Sequence, residues 1–231
     1  MLWSNLVAFG ALHDLPGEEA AVLLSRTSGG TGEFVYLAVM AKRSGRLVNV
    51  GTVGVGDRVK VRAIRVSDRH VVMAVVEAVP GEAMCCPSQL AQKVFAIRDG
   101  ALRPVSSTAT GTLAVGTLGQ VEWTLVEMNG KALPAGAKPP TIRFDGLRAS
   151  GFNGCNRFTG NVEEKGPGAF AFGPLASTRM ACGDPQNEVE NQFAASLGAV
   201  SRYTFVAGRL VLTGSNERAS GTLVFEGTPA K

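Results

Sequence analysis

The chain has 231 residues, which is long enough for two domains that each bury a hydrophobic core. Hydrophobic residues make up 45% of the chain, charged residues 18%, and 29 residues are glycine, a composition that excludes extensive disorder and favours strands joined by tight turns. The net charge of +4 is carried by singly scattered lysines and arginines, which argues against nucleic-acid binding, and no apolar run approaches the roughly 20 residues that cross a bilayer.

The first half of the chain is predicted to form an antiparallel sheet meander, an all-β module over residues 1–105. In the run 58–66, apolar residues mostly alternate with lysine and arginine, which is the period of a sheet with one solvent-facing side. Short turns are predicted at Ser44-Gly45, Gly56-Asp57, residues 67–70 and Asp99-Gly100. The predicted strands cover residues 20–26, 33–43, 46–55, 58–66 and 71–79, followed by a hairpin over 92–105.

An uncharged stretch rich in small residues, 106–120, is predicted to be a linker to a second domain over residues 121–231. This domain opens with a strand that contains Trp123 and ends at the turn Asn129-Gly130. Further strand-like runs lie within residues 141–164 and 169–182, and the domain closes with a hairpin around Ala207-Gly208 and a strand over 219–227.

A helix is predicted after Asp184, which can act as its N-cap with Pro185 at the first helical position. Glu188 and Glu190 favour the positive end of the helix dipole. An apolar stripe then follows at spacing four and ends near Gly198, consisting of Val189, Phe193 and Leu197. We therefore expect a mostly β chain with an α+β C-terminal domain, in which one helix packs on an antiparallel sheet.

The segment SGFNGCNRFTG, residues 150–160, places Cys155 between two asparagines. A reactive thiol needs a base, and both histidines, His13 and His70, lie in the other half of the chain. Zinc needs about four ligands with closely spaced Cys or His residues, and neither Cys155 nor Cys182 has such a neighbour. We therefore predict no catalytic residue and no metal site here. A disulfide between Cys155 and Cys182, 27 residues apart, is the favoured interpretation and would stabilise the fold by about 3–4 kcal/mol.

The adjacent Cys85 and Cys86 allow two interpretations. They can form a strained vicinal disulfide that acts as a redox or binding element. Alternatively, they are two small residues at a tight turn before Pro87, which is the interpretation we favour. The pair lacks the two intervening residues of the Cys-x-x-Cys redox motif.

Three features of the second half together resemble the META domain, or HslJ-like, family: CNRFTG at 155–160, TRMAC at 178–182 and the strand with Trp123. The resemblance covers about residues 121–227. It implies a small bacterial envelope protein, often lipid-anchored, with a barrel-like α+β fold and no established enzymatic activity. In the first half, GDRVKVR at 56–62 and the CCP segment at 85–87 are similar to a module of LppP/LprE-type bacterial lipoproteins, which implies the same compartment.

Five polar residues of the two motif segments can line a ligand patch on the surface, since amide and guanidinium groups present fixed donors. They are Asn153, Asn156, Arg157, Thr178 and Arg179. Alternatively, the asparagines suit turn geometry and the arginines bond to loop carbonyls, so that these residues hold the two segments together. We favour this second interpretation.

These features predict a non-enzymatic bacterial cell-envelope protein, located in the periplasm or envelope, with a binding or stress-related role and no cofactor. Its expected partner is an envelope component or a protein. The alternatives are an inhibitor or partner-binding module for a secreted enzyme, and a thiol redox element at Cys85 and Cys86. Residues 1–19 lack the features of a signal peptide, so the expected precursor carries a signal and can carry a lipid anchor.

Overall fold

The computed structural model of the chain describes residues 2–13, 18–27, 29–83, 85–217 and 219–229. The chain divides into two compact units. The first comprises Met1–Thr112 with Val206–Gly208, and the second comprises Leu113–Phe205 with Arg209–Lys231. In the part of the chain that the structure describes, no helix reaches the length and apolarity that a bilayer crossing requires.

The first unit is an all-β structure. Its strands in the described residues are β1 (Leu2–Gly10), β2 (Glu19–Arg26), β3 (Phe34–Arg43), β4 (Arg46–Asp57), β5 (Lys60–Ser67), β6 (His70–Glu77), β7 (Gln89–Arg98) and β8 (Ala101–Thr112). They form two antiparallel sheets, each ordered as in the sequence, β1 to β4 and β5 to β8. Leu23, Leu37, Val61, Val71 and Met73 are fully buried and belong to one core that both sheets share. The predicted antiparallel meander is confirmed, and β1 is a strand that the sequence pattern did not indicate.

The predicted hairpin turn at Gly56-Asp57 is wrong, because β4 continues to Asp57 and the chain then crosses to the second sheet. Two hydrogen bonds fix this crossing to Glu33, at the start of β3. The Arg58 amide donates to the Glu33 carbonyl at 2.6 Å, and the Asp57 carboxylate accepts from the Glu33 amide at 3.0 Å. These bonds tie the crossing to β3, so β5 does not fold back on β4.

Two of the hairpins in the first unit have two-residue turns in which glycine is the second turn residue. Ser44-Gly45 has φ of 49° and 78°, and Asp99-Gly100 has φ of 51° and 73°. Both residues of such a turn lie in the left-handed region, which matches the twist of the flanking strands. The hairpins predicted at these two turns are confirmed.

The stretch 106–120, predicted as a linker, is structured. Residues 106–112 continue β8 and pair with β7, with a register shift between Ala109 and Gly111. A 3-10 helix follows at Val115–Leu118, with Val115 and Leu118 buried. The Val115 amide donates to the Glu164 carboxylate at 2.8 Å. Small uncharged residues suggested a linker, but strand pairing and burial of the few larger side chains order this stretch.

The second unit is a closed barrel with one α-helix in its described residues. Its strands are β9 (Val121–Met128), β10 (Lys131–Ala132), β11 (Thr141–Asp145), β12 (Arg148–Phe152), β13 (Arg157–Gly166), β14 (Ala169–Ser177), β15 (Arg202–Val206), β16 (Arg209–Ser215) and β17 (Ser220–Pro229). The order is β9, then β11 to β17, and β17 pairs back with β9 to close eight strands. The core contains the fully buried rings of Phe170, Phe193, Phe205 and Phe225. The predicted barrel-like antiparallel sheet with one helix is confirmed.

The helix α1 spans Gln186–Leu197 and buries the predicted stripe of Val189, Phe193 and Leu197. The predicted cap is wrong, because Pro185 occupies the N-cap position and no side chain caps the helix. The Gly183 carbonyl accepts from the Gln186 amide at 3.0 Å, so the backbone satisfies a donor of the first turn that the Asp184 side chain was expected to satisfy.

Candidate functional site

The two motif segments meet at the first turns of α1. The turn after β12 contributes Asn153, Cys155 and Asn156, the stretch after β14 contributes residues 178–182, and α1 contributes Glu190. We call this set of residues the motif junction. Its geometry decides between a ligand patch and a structural role.

Asn153 shapes the turn that carries Cys155. Its side-chain oxygen accepts hydrogen bonds from the Cys155 amide at 3.1 Å and the Asn156 amide at 2.6 Å. Its own backbone amide donates to the Asn156 carbonyl at 2.9 Å. Asparagine is suited to such a turn because its short side chain mimics a backbone acceptor. The side chain is 6% exposed, so Asn153 serves the turn from within the protein.

Asn156 connects the turn to the second motif segment. Its side-chain oxygen accepts from the Thr178 hydroxyl and from the Met180 amide, both at 2.7 Å. Its side-chain nitrogen donates to the Met180 carbonyl at 3.3 Å. With 3% exposure, Asn156 is a buried polar group whose donor and acceptor capacity is used inside the protein.

Glu190 completes the junction and was not assigned this role from the sequence. Its carboxylate accepts from the side-chain nitrogen of Asn153 at 2.7 Å and from that of Asn156 at 3.1 Å. In the sequence, Glu190 is recognisable only as an acidic residue near the positive end of the helix dipole. Its partners are 37 and 34 residues away in the chain, so no local spacing indicates the contact.

A disulfide joins Cys155 and Cys182 across the junction, with their Cα atoms 6.0 Å apart. It links the same two segments that Asn156 joins by hydrogen bonds. A sulfur in a disulfide is not a thiolate, so Cys155 in this state has no nucleophile to offer. In the described ranges no three His, Cys, Asp or Glu residues group so as to hold a metal ion.

Comparison with known proteins assigns the second unit to a protein family. Residues 116–227 match the model of the META domain family. The second unit is a META domain. Heat shock protein HslJ of Escherichia coli K12 is 34% identical over 89 residues, which are 38% of this chain and 63% of HslJ. The chain therefore spans less than two thirds of the length of that relative.

Two proteins solved by NMR also align with the chain. One, from Burkholderia xenovorans, is 26% identical over 55% of this chain and 98% of its own, with a TM-score of 0.39. The other is 31% identical over 49% of this chain and 94% of its own, with a TM-score of 0.40. The resemblance of residues 1–105 to the LppP/LprE-type module stays a prediction.

Only part of the predicted polar patch lies on the surface of the META domain. Asn153 and Asn156 lie below the surface, because their amides make the internal bonds just described. Arg157, Thr178 and Arg179 are exposed, as is Met180, whose side chain is 60% exposed. The Thr178 amide donates to the Arg157 carbonyl at 3.0 Å, so the two exposed segments lie side by side. We call Arg157, Thr178, Arg179 and Met180 the exposed strip.

Cys85 and Cys86 lie in the first unit, in the loop between β6 and β7. Cys85 is exposed and Cys86 is half-buried. The Cys86 amide donates to the Ala83 carbonyl at 3.1 Å, which is the spacing of a tight turn. The redox interpretation of this pair stays a prediction.

Proposed function

We propose that this protein is a non-enzymatic, stress-related module of the bacterial cell envelope, and that its META domain binds an envelope component or a protein partner through the exposed strip. The observation that supports this proposal is that some motif residues are structural and others are exposed. Asn153, Asn156 and Glu190 satisfy one another and fix the backbone, whereas Arg157, Arg179 and Met180 face solvent on that fixed backbone. Arginine and methionine are enriched at protein interfaces, which suits a contact surface.

The envelope location is supported by the disulfide and by the relative. Disulfides persist in oxidising compartments such as the periplasm and are rare in the reducing cytosol. The Cys155–Cys182 bridge therefore favours an exported protein. The curated relative carries the name of a heat shock protein, which supports a role under thermal stress.

A heat-survival assay tests this function. We expect a strain that lacks the protein to survive heat challenge less well than the parent strain. Expression of the wild-type protein should restore survival, and that protein should be recovered in the envelope fraction. Arg157→Ala/Arg179→Ala should fold and be exported but fail to rescue. Lys131→Ala/Lys138→Ala is the matched control, since it removes the same charge from exposed positions of the same domain.

The same assay separates the alternatives. A variant with Cys85→Ser and Cys86→Ser should rescue fully, and failure of this variant with success of the arginine variant would favour the thiol redox element instead. A separate crosslinking experiment from a photoreactive residue at position 180 addresses the inhibitor alternative: it would be favoured if the captured protein is a secreted enzyme whose activity falls when the chain is added. Equal rescue by wild type and the arginine variant would refute a role for the exposed strip.

A further inference from the structure

Strand β8 forms an open edge of the second sheet of the first unit. The sheet is ordered β5 to β8, so β8 pairs with β7 and, within the described residues, with no strand on its other side. Residues 103–112 are all exposed, so this part of β8 is open on both faces as well. Alternate residues of such an edge strand point an N–H and a C=O group away from the sheet, where another strand can pair with them.

This edge lacks the charges that commonly protect edge strands. Residues 104–112 include no Lys, Arg, Asp or Glu, whereas β5 at the opposite edge of the sheet carries Lys60, Arg62 and Arg65. Natural sheets use charged side chains, lysine above all, to keep other strands from their edges. Register shifts leave Val105 and Thr110 as bulges, so residues 106–109 are the regular part of the edge. Another strand can approach this part without meeting a charge.

A cavity of about 320 Å³ adjoins the start of this edge. Strands β4 and β8 approach closely at Gly51, where a Cβ atom would lie 2.9 Å from Cβ of Leu102. The cavity lies farther along both strands and is lined by residues 54–55 of β4, two residues of β7 and residues 104–107 of β8. Its apolar surface comes from Val55, Phe95, Pro104 and Val105.

The polar side of the cavity is organised by Lys93. The Lys93 ammonium lies 2.8 Å from the Glu77 carboxylate and donates to the Ser107 hydroxyl at 3.3 Å. The side chains of Lys93 and Glu77 are 14% and 21% exposed, so this ion pair is largely withdrawn from water and each charge needs its partner. Because Glu77 neutralises the ammonium, the cavity does not select an anion. Lys93 is instead a positioning residue that holds Ser107, and with it the edge, beside the cavity.

These features indicate that the occupant is an extended polypeptide segment. The main-chain groups of a strand are complementary to those of the β8 edge, and in strand addition the alternating side chains of the bound segment enter pockets beside the edge. The cavity is neutral and largely apolar, so it suits a leucine or phenylalanine side chain. A second copy of this chain fits less well, because the side chains of its own residues 106–109 are too small to fill the cavity.

We propose that the β8 edge and the adjoining cavity bind an extended, uncharged segment of a partner protein by strand addition, with a leucine or phenylalanine side chain of that segment in the cavity. This site goes beyond the function proposed for the META domain, because it lies in the other unit and uses other residues.

Fluorescence anisotropy of the full chain with the labelled peptide KTVTLTVTK tests the proposal. The terminal lysines keep the peptide in solution, and we expect saturable binding. N-methylation of alternate residues removes either the N–H groups that face β8 or those that face solvent. One methylated peptide should bind at least about tenfold more weakly than the parent and the other should bind as the parent does, since only one set of N–H groups donates to the edge.

Variants of the chain test the edge and the cavity separately. Thr108→Lys places a charge on the exposed edge and should weaken binding, whereas Thr228→Lys is the control at an exposed position of β17, which has a paired strand on each side. Gly54 lines the cavity, and a Cβ atom there meets nothing within 4 Å. Gly54→Leu should therefore keep the Tm of the wild type and bind at least about tenfold more weakly, because its side chain narrows the cavity. Gly116→Leu, at an equally open position, should leave binding unchanged.

Several results would overturn the proposal. Equal effects of the two methylated peptides, or no binding of the parent peptide, would refute strand addition. Unchanged binding by Gly54→Leu, or of a peptide with aspartate in place of its central leucine, would exclude the cavity from the site. A wild-type dimer in sedimentation that Thr108→Lys dissociates would assign the edge to a second copy instead. Arg157→Ala/Arg179→Ala should bind the peptide as the wild type does, so failure of this proposal and failure of the META function are distinguishable.

Discussion

Asn156 makes the largest number of contacts among the side chains of the motif junction, and its replacement should be costly. Asn156→Ala removes the acceptor of the Thr178 hydroxyl and the Met180 amide, and it leaves the Glu190 carboxylate with Asn153 as its remaining partner in the motif junction. Loss of one partner from a buried polar group costs about 1–3 kcal/mol, so we expect a decrease in unfolding free energy of about 2–3 kcal/mol. Urea denaturation measures it.

An exposed asparagine provides the control for that measurement. Asn187 lies on the solvent side of α1, so Asn187→Ala should change the unfolding free energy by no more than about 0.5 kcal/mol. Equal effects of the two substitutions would show that the contacts of Asn156 do not contribute to stability and would contradict the structural interpretation of the motif.

Glu82 gives the loop that carries Cys85 and Cys86 a dependence on pH. Its carboxylate accepts from the Val79 amide at 3.1 Å and the Ser88 amide at 3.2 Å, and so bridges the ends of the loop. The hydrogen bond from the Ser88 side chain, with those two amide bonds, lowers the pKa of Glu82 against the opposing effect of desolvation. A lowered pKa means that the bridge contributes stability above the ordinary glutamate pKa and loses it as the pH falls through the folded-state value.

A pH titration of the amide proton shifts of Val79 and Ser88 by NMR checks this expectation. Both shifts should move together in acid, with a midpoint below the ordinary pKa of glutamate. Glu82→Gln should abolish the transition, because the amide does not titrate. A midpoint at or above the ordinary value would contradict the bridge.

At the scale of elements, the C-terminal turn of α1 packs against two glycines on neighbouring strands. Gly214 of β16 pairs with Gly221 of β17, and a Cβ atom at Gly214 would overlap the Ala199 carbonyl oxygen. A Cβ atom at Gly221 would lie 2.8 Å from Cβ and 3.0 Å from Cα of Ser196, which is buried. The pair of glycines therefore sets how closely the helix approaches the barrel.

Gly221→Ala should separate α1 from β17 and lower the stability by about 1–3 kcal/mol, the usual cost of overpacking. Thermal unfolding followed by circular dichroism measures this change. Gly116→Ala is the control, since a Cβ atom there meets nothing within 4 Å. If Gly221→Ala were as stable as the wild type, α1 would not be packed against β17 in this way.

The sequence predicts those elements whose signals are local. The turns at Ser44-Gly45 and Asp99-Gly100 have a residue pair that few other backbone conformations favour, and the stripe Val189, Phe193 and Leu197 repeats along a single helix. Strand β1 and the strand at residues 106–112 were not predicted. They are strands because they pair with β2 and β7, and their sequences do not alternate apolar and polar residues. The same holds for the site, where both cysteines were predicted as partners but the contact of Glu190 with two asparagines was not.

At the scale of the whole molecule, the compartment and the stability of the META domain are connected through the disulfide. The Cys155–Cys182 bridge closes a loop of 27 residues that contains β13 and β14. In the unfolded chain such a loop restricts conformational freedom, which is the main origin of disulfide stabilisation in the chain-entropy model. A protein that relies on this bridge is suited to an oxidising compartment and should be weakened in a reducing one.

Replacing both Cys155 and Cys182 by serine should therefore lower the unfolding free energy by about 3–4 kcal/mol. Urea denaturation under non-reducing conditions measures the difference, and dithiothreitol should shift the wild type toward the variant while leaving the variant unchanged. Cys85→Ser/Cys86→Ser is the matched control, because it removes two sulfurs from the other unit, outside the loop that the bridge closes, and should lower the unfolding free energy by less. If dithiothreitol had no effect on the wild type, the bridge would contribute nothing to folding, and the main structural argument for export would be lost.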